Sequence, residues 1–170
     1  MFQEGEHVVY GPNGVCRIEG TRTLDIQGIP KDRKYYVLLP ISQGGTIYVP
    51  VDSAEDKMRK VISKPDAEDL IDKLQRIDPL KAADDKTAEE LYKNCIRSYD
   101  CTEWVRLIKC IYQHREIRKR DGKKVTARDE KYMRMAEDAL YSELGFALEI
   151  PKEQVLDYIL SKKDIRIDTI

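Results

Sequence analysis

The chain has 170 residues, a formal net charge of −1, 41% hydrophobic and 36% charged side chains, enough for one domain or two small ones with a packed core and a solvated surface. That balance excludes a disordered chain and a protein that coats nucleic acid by bulk charge. No apolar run approaches the roughly 18–20 residues a bilayer span needs, and the start MFQEGEHVVYG has neither a basic n-region nor an apolar h-region, so a cytoplasmic protein with no membrane attachment is expected.

From Gly5 to about Ile62 the apolar residues alternate or cluster in short β-branched runs: HVVY, GVCRIEGTRTL, KYYVLLPI, GTIYVPV and MRKVI. Gly11-Pro12-Asn13-Gly14, Gly28-Ile29-Pro30 and Gln43-Gly44-Gly45 punctuate them as turns. Five strands in so short a stretch, with no helical run between them, predict a small curled antiparallel sheet or open barrel over residues 1–62.

After Ser63-Lys64-Pro65 the period changes. In PDAEDLIDKLQRI, Leu70, Ile71, Leu74 and Ile77 share one helical face, and Pro65 suits a first turn. A second helix is expected over about Thr87–Tyr99 with Leu91, Tyr92, Cys95 and Ile96 inward. Asp100 followed by Glu103 reads as a capping box for a third helix ending near Arg120. Thr126 with Asp129 resembles the same box, with Asp in place of Glu, ahead of a fourth helix carrying Met133, Ala136, Leu140 and Leu144. Ile150-Pro151 opens a fifth, with Val155, Leu156, Ile159 and Leu160 inward. The fold class is therefore α+β: a β module over 1–62 and a five-helix bundle over 65–170.

Neither a metal site nor a disulfide framework is suggested by Cys16, Cys95, Cys101 and Cys110, which form no C-x-x-C pair and lie near no histidine; they read as small buried hydrophobes. His7 and His114 fall in different modules, which makes a catalytic triad between them implausible. The pairs Asp84/Asp85 and Glu89/Glu90 sit in solvated charge runs, and no helix N-terminus follows the Gly-rich turn to receive a phosphate. No enzyme, cofactor or small-molecule substrate is expected. Surfaces remain. A β module exposes at least one sheet edge, which can recruit a partner strand. HREIRKRDGKKVTAR holds seven basic residues (Arg115, Arg118, Lys119, Arg120, Lys123, Lys124, Arg128) against Glu116 and Asp121, a local excess of +5. It either follows a phosphate backbone or complements a helix C-terminus. Trp104 is expected in the helical core.

The start F-x-x-G-x-x-V-V-Y-x-x-x-G (Phe2, Gly5, Val8, Val9, Tyr10, Gly14), then Gly28 ahead of YYVLLP, the strand ending YVPV, and the late helix MAEDALYSELGFAL together resemble the CarD family of bacterial RNA polymerase-binding transcription regulators. The resemblance implies a Tudor-like β module that docks on the RNA polymerase β subunit, with Tyr10, Leu24, Ile47, Tyr48, Val49 and Pro50 as its docking residues. It also implies a helical module set against promoter DNA, with a tryptophan wedge early in the second helix and basic residues after it. By spacing to Tyr92 that wedge position falls near Ala88, and Glu89 and Glu90 replace the basic residues, so DNA contact is expected to be weak. Leu24 and Tyr48 likewise stand where the family has basic docking residues. The expected DNA-facing set is Ala88, Arg115, Arg118, Lys119, Lys123, Lys124 and Arg128. The alternative is a protein–protein adaptor whose Tudor-like module binds a partner other than polymerase.

Overall fold

The computed structural model describes residues 1–81 and 84–162; the last residues of the expected helical domain, 163–170, lie outside them. The chain divides into two compact units, Met1–Val61 and Ile62–Ile170.

The first unit is a five-stranded antiparallel sheet: β1 (His7–Tyr10), β2 (Val15–Thr23), β3 (Lys34–Pro40), β4 (Ile47–Pro50) and β5 (Met58–Lys60), in the order β4-β3-β2-β1-β5. Gly11 (φ +48°) and Gly14 (φ +66°) take the left-handed conformations that close the first hairpin, and the amide of Tyr10 donates to the Gly14 carbonyl at 2.9 Å. Between Ile18 and Gly20 the β2–β3 register slips by a bulge, which sharpens the local twist and helps curl so small a sheet. Val8, Cys16, Ile18, Tyr36, Leu38, Val49, Ala54 and Met58 form one buried cluster. The Tyr36 hydroxyl accepts from the amide of Phe2 at 3.0 Å, while the Phe2 ring meets the Tyr36 ring edge-on.

The second unit holds α1 (Lys64–Lys73), α2 (Asp85–Arg97), α3 (Cys101–Arg120), α4 (Ala127–Leu148) and α5 (Val155–Lys162). Each of the first four starts on a side-chain cap: Ser63 accepts from Asp66 N, Asp84 from Thr87 N, Asp100 from Thr102 N and Glu103 N, and Thr126 from Asp129 N. Helix α1 stops earlier than its apolar stripe predicts and tightens into a 3-10 turn at Leu74–Arg76. The buried Lys109 satisfies carbonyls this end leaves open: its ammonium donates to those of Leu74 and Ile77, the latter at 2.7 Å. Burial lowers the Lys109 pKa.

The core of this unit is built on Trp104, Leu107 and Ile111 from α3, Leu140 and Leu144 from α4, and Ile159 from α5, and Trp104 is where the sequence reading puts it. All four cysteines are buried and reduced. Leu156, expected inward, is 37% exposed. Leu91 and Ile96 are only half-buried, and α2 packs instead through Ala88, Tyr92 and Cys95. The two expected capping boxes are half-formed. Glu103 turns to Arg106 (2.8 Å) and Cys95 rather than to its cap residue, and Asp129 is buried in a different role described below. Within the first unit Val61 N donates to the His7 carbonyl at 3.3 Å, and within the second Ile62 N donates to the buried Glu143 carboxylate at 3.0 Å.

Candidate interaction surfaces

Strand β4 pairs with β3 on one side, in the register Tyr36↔Val49 and Val37↔Tyr48, and with no strand on the other among the described residues. Alternation sorts its side chains. Val49 is 0% exposed and belongs to the core, so the expected docking role survives there only for its backbone, whereas Tyr48 stands 43% exposed on the opposite face. Ile47 and Pro50 are half-buried. Leu24, just past β2, lies at the Pro50 end of the sheet, since Thr23 faces Lys34 and Tyr35 faces Pro50. Tyr10 pairs across to Met58 of β5 and packs on the core at the other end of the sheet, so the six expected docking residues do not form one patch. Next to Pro50, Arg33 pairs with Asp52 at 3.0 Å and lies over the Tyr35 ring. The hydrogen bond from Arg33 holds the Asp52 carboxyl below its usual range. The edge therefore offers main-chain groups, one exposed aromatic and a charged corner.

A second feature, missed by the sequence reading, lies in the helical module. A cleft of ≈ 580 Å³ is lined by Leu80, Ala88, Tyr92, Cys110, His114, Ile117 and Arg128, with Pro79, Lys81, Asp84, Asp85 and Gln113 around them. Below it Asp129 is fully buried and its carboxylate accepts from His114 Nδ1 and, at 3.4 Å, from Arg128 Nε. Arg128 also donates to the side chain and the carbonyl of Asp85, both at 3.0 Å, and lies over the Tyr92 ring. The hydrogen bond from Arg128 lowers the Asp85 pKa. Burial pushes the Tyr92 phenol well above the ordinary tyrosine value, and the neighbouring Cys110 and Asp129 add to that. This polar knot joins the N-termini of α2 and α4 to the middle of α3.

These placements correct the expected DNA-facing set. Ala88 is 3% exposed, so position 88 packs inward and presents no wedge; its open neighbours are Glu89 and Glu90. Arg128 is committed to Asp85, Asp129 and Tyr92, with only 19% of its side chain exposed. Lys119 is paired with Glu116 at 3.0 Å. Arg118 donates through Nε to the Lys124 carbonyl at 2.7 Å and thereby fastens the turn at Gly122 (φ +70°). Lys123 and Lys124 are exposed and Arg115 is half-buried. Arg118, Lys119 and Arg120 stand in the last turn of α3, and Lys123 and Lys124 face solvent beyond it.

Residues 2–62 match the family model described as the CarD-like/TRCF RID domain. The match covers the whole β sheet and stops before α1. Over those residues the resemblance read from the sequence is shown, and this part of the chain is a CarD-like/TRCF RID domain by its match. No curated protein matches the chain. Among the described residues no helix is long and apolar enough to cross a membrane, and no cluster of three metal-ligating side chains occurs.

Proposed function

We propose that this protein is a cytoplasmic transcription regulator that binds the RNA polymerase β subunit through its β module and modulates promoter open complexes, acting by binding rather than catalysis. The observation that carries this reading is the unpaired β4 edge, with Tyr48 exposed beside it, inside the segment that matches the CarD-like/TRCF RID domain. An edge of this kind gains affinity from main-chain hydrogen bonds and specificity from the side chains that alternate along it. A DNA wedge forms no part of the reading, because position 88 is a buried alanine flanked by carboxylates.

The test is co-purification of the tagged full-length chain from its own cells, followed by calorimetry with the purified β subunit. Polymerase subunits should dominate the eluate, and Tyr48→Asp should weaken β-subunit binding by about tenfold or more. An eluate lacking polymerase, dominated by some other protein, would instead favour the adaptor reading.

A further inference from the structure

The cleft beside His114 does not end at Ile117. A shallower groove of ≈ 390 Å³, lined by Tyr112, Gln113, Glu116 and Ile117, continues it along α3, and the two share Gln113 and Ile117. Ile117 stands between them at 47% exposure. The walls are mixed in character: Pro79, Leu80, Ala88 and Ile117 are apolar, while His114 is held in one orientation by the buried Asp129. A phosphate backbone gains nothing from an exposed isoleucine in a hollow, whereas a protein segment with apolar anchors does.

The charges around the trough decide what kind of segment fits. Among its acidic groups Asp85 pairs with Arg128 and Glu116 with Lys119, while Asp84 keeps its charge and caps α2 through Thr87. Glu89 and Glu90 do not line it. The cations Arg118, Lys123 and Lys124, by contrast, form no ion pair among the described residues. Arg118 follows Ile117 directly, lies one helical turn beyond His114, and acts electrostatically on Asp85 at the cleft rim. The trough therefore has apolar anchor points among mixed walls, and Arg118, Lys123 and Lys124 lie just past its lining, where α3 stops.

We propose that this trough docks an acidic, amphipathic segment of a partner protein, with apolar side chains entering between Leu80, Ala88 and Ile117 and carboxylates meeting Arg118, Lys123 and Lys124. Apolar anchors in the hollow supply affinity, and the cations select sign and orientation. The inference is independent of what the β module binds, and failure of the polymerase co-purification leaves it standing.

The test uses the full chain and a fluorescein-labelled peptide of about 15 residues, long enough to hold helical turns, with leucine at helical spacing and glutamate elsewhere. Three comparators accompany it: the same peptide with Gln for Glu, the same peptide with Ser for Leu, and a DNA duplex of arbitrary sequence. The acidic leucine peptide should bind by anisotropy, and both altered peptides should bind several-fold more weakly. Ile117→Ser should weaken binding about five- to tenfold and Arg118→Glu with Lys124→Glu about tenfold or more, while Arg22→Glu in the β module changes nothing. In the unsubstituted chain, amide chemical-shift changes on peptide addition should fall on residues 113–118 and 123–124. The proposal is overturned if the acidic peptide does not bind, or if the shifts fall elsewhere. It is equally overturned if duplex DNA binds more tightly through the same cations with Ile117→Ser silent, which would assign the basic segment to a phosphate backbone.

Discussion

The carboxylate of Asp129 lies fully shielded from solvent against Nδ1 of His114, a residue on a different helix, and the two are joined by Arg128 into one network with Asp85. A buried charge of this kind costs little while it is paired and a great deal when a partner is lost.

Asp129→Ala should therefore lower the stability of the chain by on the order of 3 kcal/mol in urea denaturation, the low end of the range for breaking a buried pair, because His114 and Arg128 keep some contact with water. Asp129→Asn should cost less, since the amide oxygen still accepts from His114. A loss below about 0.5 kcal/mol for the alanine variant would show that the network holds nothing together.

Glu137 gives a pH prediction of defined sign. Burial raises its carboxyl above the ordinary value of 4.5, and Arg115 offsets only part of that. A raised folded-state pKa favours folding while the group is protonated, and that contribution is lost as pH rises through the folded value. Glu137→Gln should leave stability at about pH 4 nearly unchanged and raise it at neutral pH, as thermal melts at the two pH values would reveal. Tyr141, pushed up to about 12 by burial with Glu137 adding to it, should titrate lower in the same variant, by tyrosinate absorbance.

Two positions at the end of α4 should respond against the usual ranking of alanine over glycine in helices. Replacing a helical glycine by alanine normally gains about 1 kcal/mol, yet a Cβ on Gly145 would lie 3.0 Å from the Ile150 carbonyl oxygen and 3.3 Å from the Lys152 backbone. Gly145→Ala should destabilise by roughly 1–3 kcal/mol. Glu149, which ends the helix in the left-handed region at φ +58°, is the position that prefers glycine, so Glu149→Gly should gain up to about 1 kcal/mol. Chemical denaturation of both variants checks the pair, and the opposite ordering would contradict the described geometry.

On β4, neighbouring residues should separate folding from binding. Val49→Ala removes fully buried atoms and should cost about 2 kcal/mol of stability. Tyr48→Ser, on the open face, should stay within about 0.5 kcal/mol of the parent while weakening β-subunit binding. If Tyr48→Ser bound the β subunit as the parent does, the β4 edge would not be the docking surface.

Periodicity and turn chemistry made most of the architecture readable. All five strands and the starts of α1, α3 and α4 were visible, because β-branched runs between glycine turns and cap residues ahead of apolar stripes are local signals. By contrast, α2 starts before Thr87, at Asp85 on an Asp84 cap read only as part of a charge run, and α5 starts at Val155 after a 3-10 turn at Lys152–Gln154. What could not be read is what depends on partners distant in the chain. Lys109 reaches from another helix to the carbonyls just past α1. Thr126-x-x-Asp129 looks like a cap from its spacing, and half of it is one, but the Asp129 carboxylate finds His114 instead of the Thr126 amide. Ala88 aligned with an exposed wedge by counting from Tyr92, whereas both residues face inward one turn apart. Arg128 counted as a surface cation until Asp85 and Tyr92 enclosed it. The one signal available for the cleft was the proximity of His114 to a run of charged residues, which surface helices show everywhere.

The paired amides of Val61 and Ile62 bear on how the chain can be cut. A protease needs a slack, extended stretch to thread through its active site. Here one residue is hydrogen-bonded to His7, the next to Glu143, and the residue after that already caps α1. Digestion under native conditions should thus nick the exposed loops 25–33 and 41–46 before it cuts the chain at residues 61–63. A β module shortened to end at Lys60 would forfeit the Val61 bond that fastens β1, and a helical module begun at Ser63 would leave Glu143 without the Ile62 amide. The bond between residues 61 and 62 is thus the one place where the gene could be split with both halves keeping these anchors.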